Sequence, residues 1–129
     1  MTITEFDFDC DDEQLQAQYT RDFLTAVFAH PAVDGFIMWG FWAGRHWRPR
    51  AAMFARDWSI RPNGRAYKEL VFNQWWTNAD GRTDAGGTFT TRGFLGDYAV
   101  TVTHGALKTT QTVRLEKGGS TLTIRFGGR

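Results

Sequence analysis

The feature that most constrains the fold is a strand–helix–strand pattern at the start of the chain. Residues 3–8 alternate with the period of two that is typical of a strand. From Leu15 to His30, apolar residues recur at three- and four-residue spacing, which predicts a helix that begins after capping residues 9–12 and ends at Pro31. Residues 36–42 are almost continuously apolar, as in a parallel strand covered on both faces. The pattern predicts a βαβ unit with a right-handed crossover.

Two acidic residues, Glu5 and Asp7, fall on one side of the first predicted strand, near its end. Acidic side chains are rarely buried without a partner, so this pair indicates a polar cavity at the strand end. A solvent-exposed edge strand explains the same alternation. The pattern by itself leaves both interpretations open.

The loop predicted after the second strand combines basic and aromatic residues. Gly44 and Pro49 bracket Arg45, His46 and Trp47. Loops that follow parallel strands are where α/β folds place ligand-binding chemistry. We therefore treat this loop as a candidate ligand site.

The character of the sequence changes at Thr77, which we interpret as a domain boundary between residues 1–76 and 77–129. Before it, Arg61-Pro62 opens a second predicted helix. After it, glycines separate short alternating runs of small and β-branched residues. The candidate strands are residues 88–91, 98–103, 109–116 and 121–126. They predict a small antiparallel β-sandwich.

Composition narrows the classes of function. A net charge of +1 gives no electrostatic reason to expect nucleic acid or an acidic membrane surface as partner, and no apolar run approaches the roughly 18 residues of a membrane span. Six Trp and 11 Phe either fill a core or line a ligand site. Cys10 is the single cysteine, so no internal disulfide forms. No metal-ligand spacing or phosphate-binding loop is present in the sequence, so we expect no cofactor and no metal.

Three separated motifs carry a family resemblance. They are Ile3–Asp7, Met38–Pro49, and Asp57-Trp58 with Lys68–Trp76. Together they resemble the C-terminal part of glycoside hydrolase family 10, the retaining endo-β-1,4-xylanases, and especially its plant-type members. The resemblance covers roughly residues 2–76. It implies an α/β fold in which these residues form the last two βα units of a (β/α)8 barrel, whose active site lies at the C-terminal ends of the strands.

The resemblance also implies roles for individual residues. Glu5 matches the family's catalytic nucleophile, and Asp7 matches an acidic residue that orients the site through a neighbouring histidine. Trp39 and Trp47 match the tryptophans that wall the sugar subsite next to the cleavage point, with plain core packing as the alternative for Trp39. A flat indole suits the apolar face of a pyranose ring.

Two further residues, Arg45 and His46, are candidate contacts for sugar hydroxyls, with a solvent-exposed loop as the equal alternative. The partner implied for the site is a xylan-type polysaccharide. The parent enzyme is expected to be secreted or attached to the cell surface, although no signal peptide precedes Ile3.

The main departure from the family pattern concerns the second carboxylate. The family's acid/base glutamate, with the asparagine beside it, lies on an earlier strand that these 129 residues do not include. General acid catalysis alone contributes about 10²- to 10⁴-fold. We therefore expect this chain, by itself, not to hydrolyse xylan.

Two parallel strands cannot close a barrel, so apolar faces around Phe36 and Met38 are expected to stay open. This predicts self-association or partial disorder of residues 1–76. The alternatives to an enzyme fragment are a non-catalytic carbohydrate-binding module and a structural role for the tail.

The tail carries its own resemblance. Residues 83–89 and 93–102 look like the carboxypeptidase-regulatory or transthyretin-like β-sandwich, through an Asp-x-x-Gly-x-Phe turn and a Gly-x-Tyr-x-Val strand. The implied role is packing, spacing or weak contact with glycan.

Overall fold

The predicted strand–helix–strand unit is present in the structure. In the computed structural model, which describes residues 1–126, strand β1 (Thr2–Phe6) pairs in parallel with strand β2 (Gly35–Met38). Helix α1 (Glu13–Ala29) connects them. Because the two strands are parallel, their carboxyl ends lie at the same edge of the sheet.

Helix α1 begins where its capping residue predicts. The Asp12 side chain accepts hydrogen bonds from the backbone N–H groups of Gln14 and Leu15, at 2.9 and 3.0 Å. The buried residues of α1 are Gln16, Ala17, Thr20 and Leu24. The predicted apolar stripe is therefore wrong at Leu15, which is 52% exposed, whereas Tyr19 and Phe23 of that stripe pack on aromatic rings at the end of β1. Ala17, a small residue of this buried set, lines the groove between α1 and the second helix of the chain, where short side chains allow close approach.

Aromatic rings join α1 to the sheet. Phe6, which is buried, stacks on Phe23 with ring centroids 4.6 Å apart and lies 5.4 Å from the ring of Phe36. Just beyond the strand, Phe8 stacks on Tyr19 at 4.1 Å. These rings fix the carboxyl end of β1 against the helix.

The second strand is shorter than the sequence predicts. It ends at Met38 rather than continuing to Trp42, because Gly40 adopts a φ of +79° and turns the chain out of the sheet. Trp42 then makes an isolated bridge to Phe54, which pairs in turn with Ile60. Residues 39–61 therefore form an irregular connection after β2, which we call the β2–α2 loop.

Helix α2 (Pro62–Glu69) starts at the predicted proline and continues as a π-helical segment, Leu70–Gln74. Its contacts are with α1, and Ala66 and Leu70 are buried. Within residues 1–126, neither helix has the length and apolarity needed to cross a membrane.

The contacts of the chain divide it into two compact units, Met1–Trp76 and a second unit that begins at Thr77. The second unit contains an antiparallel hairpin of β3 (Gly96–His104) and β4 (Leu107–Leu115). The predicted strands at 88–91 and 121–126 are not strands in the structure. Neither a barrel fragment nor a β-sandwich is evident in the described residues, so both stay predictions.

Candidate functional site

The carboxyl ends of β1 and β2 bring three of the predicted site residues together. The backbone N–H of Trp39 donates to the carbonyl oxygen of Phe6 at 2.8 Å, which holds the chain leaving β2 beside the end of β1. The indole Nε1 of Trp47 donates to Asp7 Oδ2 at 2.6 Å, across 40 residues of sequence. Asp7, Trp39 and Trp47 therefore share one edge of the sheet, as the sequence predicts for loops after parallel strands.

Glu5 lies in an irregularity of β1. Ile3 pairs with Phe36 and Phe6 pairs with Met38, so Thr4 and Glu5 together oppose a single residue of β2. Such a bulge interrupts the alternation expected for the strand and changes the direction of side chains near it. Glu5 is exposed, and no hydrogen-bond or ion-pair partner of its carboxylate occurs among residues 1–126.

The two tryptophan rings are open to solvent. Trp39 is 46% exposed and Trp47 is 62% exposed, so neither is a core residue. The guanidinium of Arg48 lies 4.6 Å from the centre of the Trp47 ring, a cation–π contact that covers part of one face. Together with the bond to Asp7, this contact fixes the orientation of the Trp47 indole.

Ion pairs connect the β1–α1 loop (residues 7–12) to the β2–α2 loop. Arg50 Nε donates to Asp9 Oδ1 at 2.9 Å, and the same guanidinium pairs with Asp11. Arg48 Nη1 lies 3.9 Å from Asp9 Oδ2. These contacts could not be predicted from the sequence, because ion pairs between distant loops leave no periodic signal.

Gln16 is the buried counterpart of these ion pairs, and it could not be predicted from the sequence either. Its Nε2 donates to the carbonyl oxygens of Phe8 at 2.6 Å and Arg50 at 2.9 Å, so one side chain joins both loops. The residue is fully buried, and its Oε1 has no hydrogen-bond partner among the described residues. A polar residue on a buried helix face is expected to hydrogen-bond to nearby backbone groups, because buried donors must find acceptors.

His46 and Arg45 have different environments. His46 is buried, with Nδ1 accepting from the backbone N–H of Arg48 at 3.0 Å and Nε2 unpartnered within residues 1–126. A Cβ at Gly40 would lie 2.8 Å from His46 Cδ2, so the imidazole packs directly on a position that must be glycine. Arg45 is exposed. Contacts of either side chain with sugar hydroxyls stay a prediction: the Arg45 side chain is open to solvent, whereas Nε2 of His46 is enclosed by protein.

The groups near this edge are an exposed carboxylate, two exposed indoles and an acidic acceptor whose position is fixed by a hydrogen bond. In the part of the chain that the structure describes, no group of three or more His, Cys, Asp or Glu side chains is arranged to hold a metal ion. A shallow groove between α1 and α2 is lined by other residues and includes none of the predicted site residues.

No protein-family model matches the chain. An anti-sigma-I factor of Acetivibrio thermocellus is 42% identical over 126 residues, which is 96% of this chain and 16% of that protein. Endo-1,4-beta-xylanase 3 of Arabidopsis thaliana is 31% identical over 122 residues, covering 95% of this chain and 16% of the xylanase. Endo-1,4-beta-xylanase 2 of the same plant is 29% identical over 122 residues, 95% of this chain and 11% of the xylanase.

The similarity extends over nearly the whole chain, whereas the motifs in the sequence covered only residues 2–76. The chain spans just 11–16% of the length of these relatives. Over that span it is a distant homologue of plant endo-1,4-beta-xylanases and of an anti-sigma factor, and is related in this way to glycoside hydrolases.

Proposed function

We propose that this chain supplies the nucleophile side of a retaining endo-β-1,4-xylanase site, with Glu5 as the attacking carboxylate and a xylan-type polysaccharide as substrate. The observation that supports this most directly is the geometry at the end of β1. Glu5 and Asp7 flank Phe6, whose carbonyl holds Trp39, while Asp7 itself holds Trp47. Glu5 is thus the residue before the one whose carbonyl holds Trp39, and it lies two residues before the carboxylate that holds Trp47.

In a retaining reaction, a carboxylate oxygen of Glu5 attacks the anomeric carbon as the glycosidic C–O bond breaks, through an oxocarbenium-like transition state. A second carboxylic acid, about 5 Å away, gives its proton to the leaving oxygen. Water then attacks the same anomeric carbon, the bond to Glu5 breaks, and the second residue takes the proton from water. The resemblance assigns that second residue to an earlier strand, outside these 129 residues.

The bulge gives Glu5 a physical reason to differ from the rest of β1. A regular strand would continue the alternation set by Ile3 and place every second side chain on one face. The extra residue opposite Ile37 instead leaves Glu5 exposed beside the buried Phe6. Bulges are common next to active sites, where they direct a functional side chain.

Trp39 and Trp47 are proposed to receive the apolar face of the sugar ring, since both indoles are exposed and one is fixed by two contacts. In this role Asp7 orients Trp47. The resemblance gives Asp7 a different role, as a partner of a histidine. Within residues 1–126 the side chain of Asp7 bonds to Trp47, and no histidine contacts it.

The test compares two substrates that differ in their need for a proton donor. With xylan, the purified chain should release no reducing sugar, because nothing protonates the leaving oxygen. With a dinitrophenyl xylobioside, the leaving group departs without protonation, so dinitrophenolate release should be measurable and should disappear in Glu5→Gln. Glu116→Gln, which removes one acid from the second unit, is the matched control. Release that is equal in the wild-type chain and in Glu5→Gln would contradict the proposal.

A non-catalytic carbohydrate-binding role is the second candidate. The exposure of Trp39 and Trp47 favours it, because an indole can bind the apolar face of a sugar without any catalytic acid. Under this alternative, xylan binding is lost in Trp39→Ala or Trp47→Ala and kept in Glu5→Gln, and dinitrophenolate release does not depend on Glu5.

A further inference from the structure

A second aromatic cluster lies in the β2–α2 loop and takes no part in the candidate site. The indoles of Trp42 and Trp58 stack with centroids 5.0 Å apart and an angle of 8° between their planes. Phe41 and Phe54 lie beside Trp58, each with centroids at 6.3 Å. Trp58 is 57% exposed and Phe41 is 53% exposed. Trp58 therefore keeps more than half of its surface open to solvent although its ring is stacked on Trp42.

Trp58 is held in a backbone conformation that its side chain disfavours. Its φ is +68°, the only positive value at a non-glycine position within residues 1–126. The backbone N–H of Trp58 donates to the carbonyl of Ala55 at 3.0 Å, and the N–H of Ala55 donates to the carbonyl of Ser59 at 2.9 Å. This is a tight hairpin turn whose left-handed position is usually glycine, because a bulky side chain there is a steric outlier.

The turn keeps this conformation through side-chain hydrogen bonds. Asp57 Oδ1 accepts from Ser59 Oγ at 2.6 Å and from the Ser59 backbone N–H at 3.0 Å. From an earlier part of the same loop, the Trp42 indole donates to the Arg56 carbonyl at 3.3 Å. Strained residues persist only where their surroundings fix them, and they concentrate at binding and catalytic positions. Glycine would satisfy the backbone at position 58, so the tryptophan must be explained by its side chain.

We infer that the Trp58–Trp42 pair, with Phe41 at its edge, is a second binding platform for a polysaccharide chain, separate from the strand-end site. A large flat ring that is backed by a second indole and is more than half exposed fits the apolar face of a pyranose. The exposed side chains of Arg56 and Asp57, on the same turn, offer a donor and an acceptor to the ring hydroxyls. The choice of polysaccharide as ligand rests on the proposed function.

The experiment measures retention of the 129-residue chain on insoluble xylan and its affinity for soluble xylan. Trp58→Gly is the main variant, because glycine suits the turn and should preserve folding. We expect its affinity to fall by about tenfold, in line with the loss of one aromatic stacking contact. Trp76→Ala, which removes another exposed indole (66% exposed), is the matched control and should bind like the wild-type chain.

Unchanged affinity in a folded Trp58→Gly variant would overturn the platform, as would a wild-type chain that does not bind xylan. A measurement on the wild-type chain gives a second test. Titration with xylohexaose should shift the NMR signal of the Trp58 indole N–H, and an unmoved signal counts against the inference. Failure of the proposed function would appear elsewhere, as dinitrophenolate release that does not depend on Glu5.

Discussion

The hydrogen bond from Trp47 Nε1 to Asp7 Oδ2 should contribute measurably to the stability of the first unit. The two atoms are 2.6 Å apart, and hydrogen bonds to charged groups contribute about 1.5–3 kcal/mol when they are shielded from water. Trp47 is 62% exposed, so water competes for both groups and the contribution falls to about 1 kcal/mol. Trp47→Phe keeps a flat ring but removes the donor, and Asp7→Ala removes the acceptor.

A double-mutant cycle isolates this contact. The free energy of unfolding would be measured by urea denaturation for the wild-type chain, Trp47→Phe, Asp7→Ala and the double variant. We expect a coupling energy of about 1 kcal/mol between Asp7 and Trp47. Asp7→Asn is the matched control, since its amide oxygen still accepts a hydrogen bond and should keep most of the coupling. A coupling energy near zero would refute the view that this bond fixes the Trp47 ring.

Three further predictions follow from the same structure. Phe6→Ala removes a buried ring that stacks on Phe23, and it should lower the free energy of unfolding by about 3–5 kcal/mol in urea denaturation; a loss below about 1 kcal/mol contradicts this packing. Hydrogen bonds from Ser59 lower the pKa of Asp57 below its ordinary value of 3.8. The stabilisation that these bonds give is therefore fully present above pH 3.8, and it is lost as the pH falls through the lower pKa of the folded state. The urea midpoints of the wild-type chain and Asp57→Ala should therefore differ more at neutral pH than in strong acid, and equal differences at both would be evidence against the turn. Ile37, 54% exposed, belongs to the sheet face opposite Phe36, and sedimentation should detect self-association that Ile37→Thr weakens; a wild-type monomer at all concentrations contradicts this.

The parts of the fold that depend on local sequence could be predicted. The Asp12 cap, the proline that opens α2 and the strand propensity of residues 2–6 each act within a few residues of their own position. Contacts that join the strand ends could be predicted only in part. The resemblance pointed to Asp7 and Trp47 as members of one site, but nothing in the spacing indicated that they share a hydrogen bond.

The remaining features depend on pairing between distant segments. The bulge that contains Glu5 is defined only by the register between β1 and β2. Gln16 is buried because two carbonyl groups from separate loops meet its amide, and a helical pattern ranks it as a surface residue. The prediction that Leu15 lies on the buried face was wrong for the same reason, since hydrophobicity alone does not indicate which polar side chain finds buried partners.

The end of β2 at Met38, earlier than predicted, determines the exposure of Trp39. Had the apolar run continued to Trp42 as a strand, Trp39 would have been held within the sheet, where neighbouring strands pack. Gly40 turns the chain instead, which leaves the Trp39 indole 46% exposed at the strand end. The same glycine accommodates the His46 ring, so one residue without a side chain shapes both sides of the candidate site.

The most direct measurement is the mass of the peptide that contains Glu5 after the chain is incubated with a 2-fluoro xylobioside carrying a dinitrophenyl group. The fluorine slows hydrolysis of the glycosyl-enzyme, so an attacking carboxylate remains labelled. We predict a fluoro-xylobiosyl adduct on Glu5 that is absent from Glu5→Gln and unchanged in Glu116→Gln. A chain that stays unlabelled, or an adduct on any other residue, would contradict the assignment of Glu5 as the attacking group.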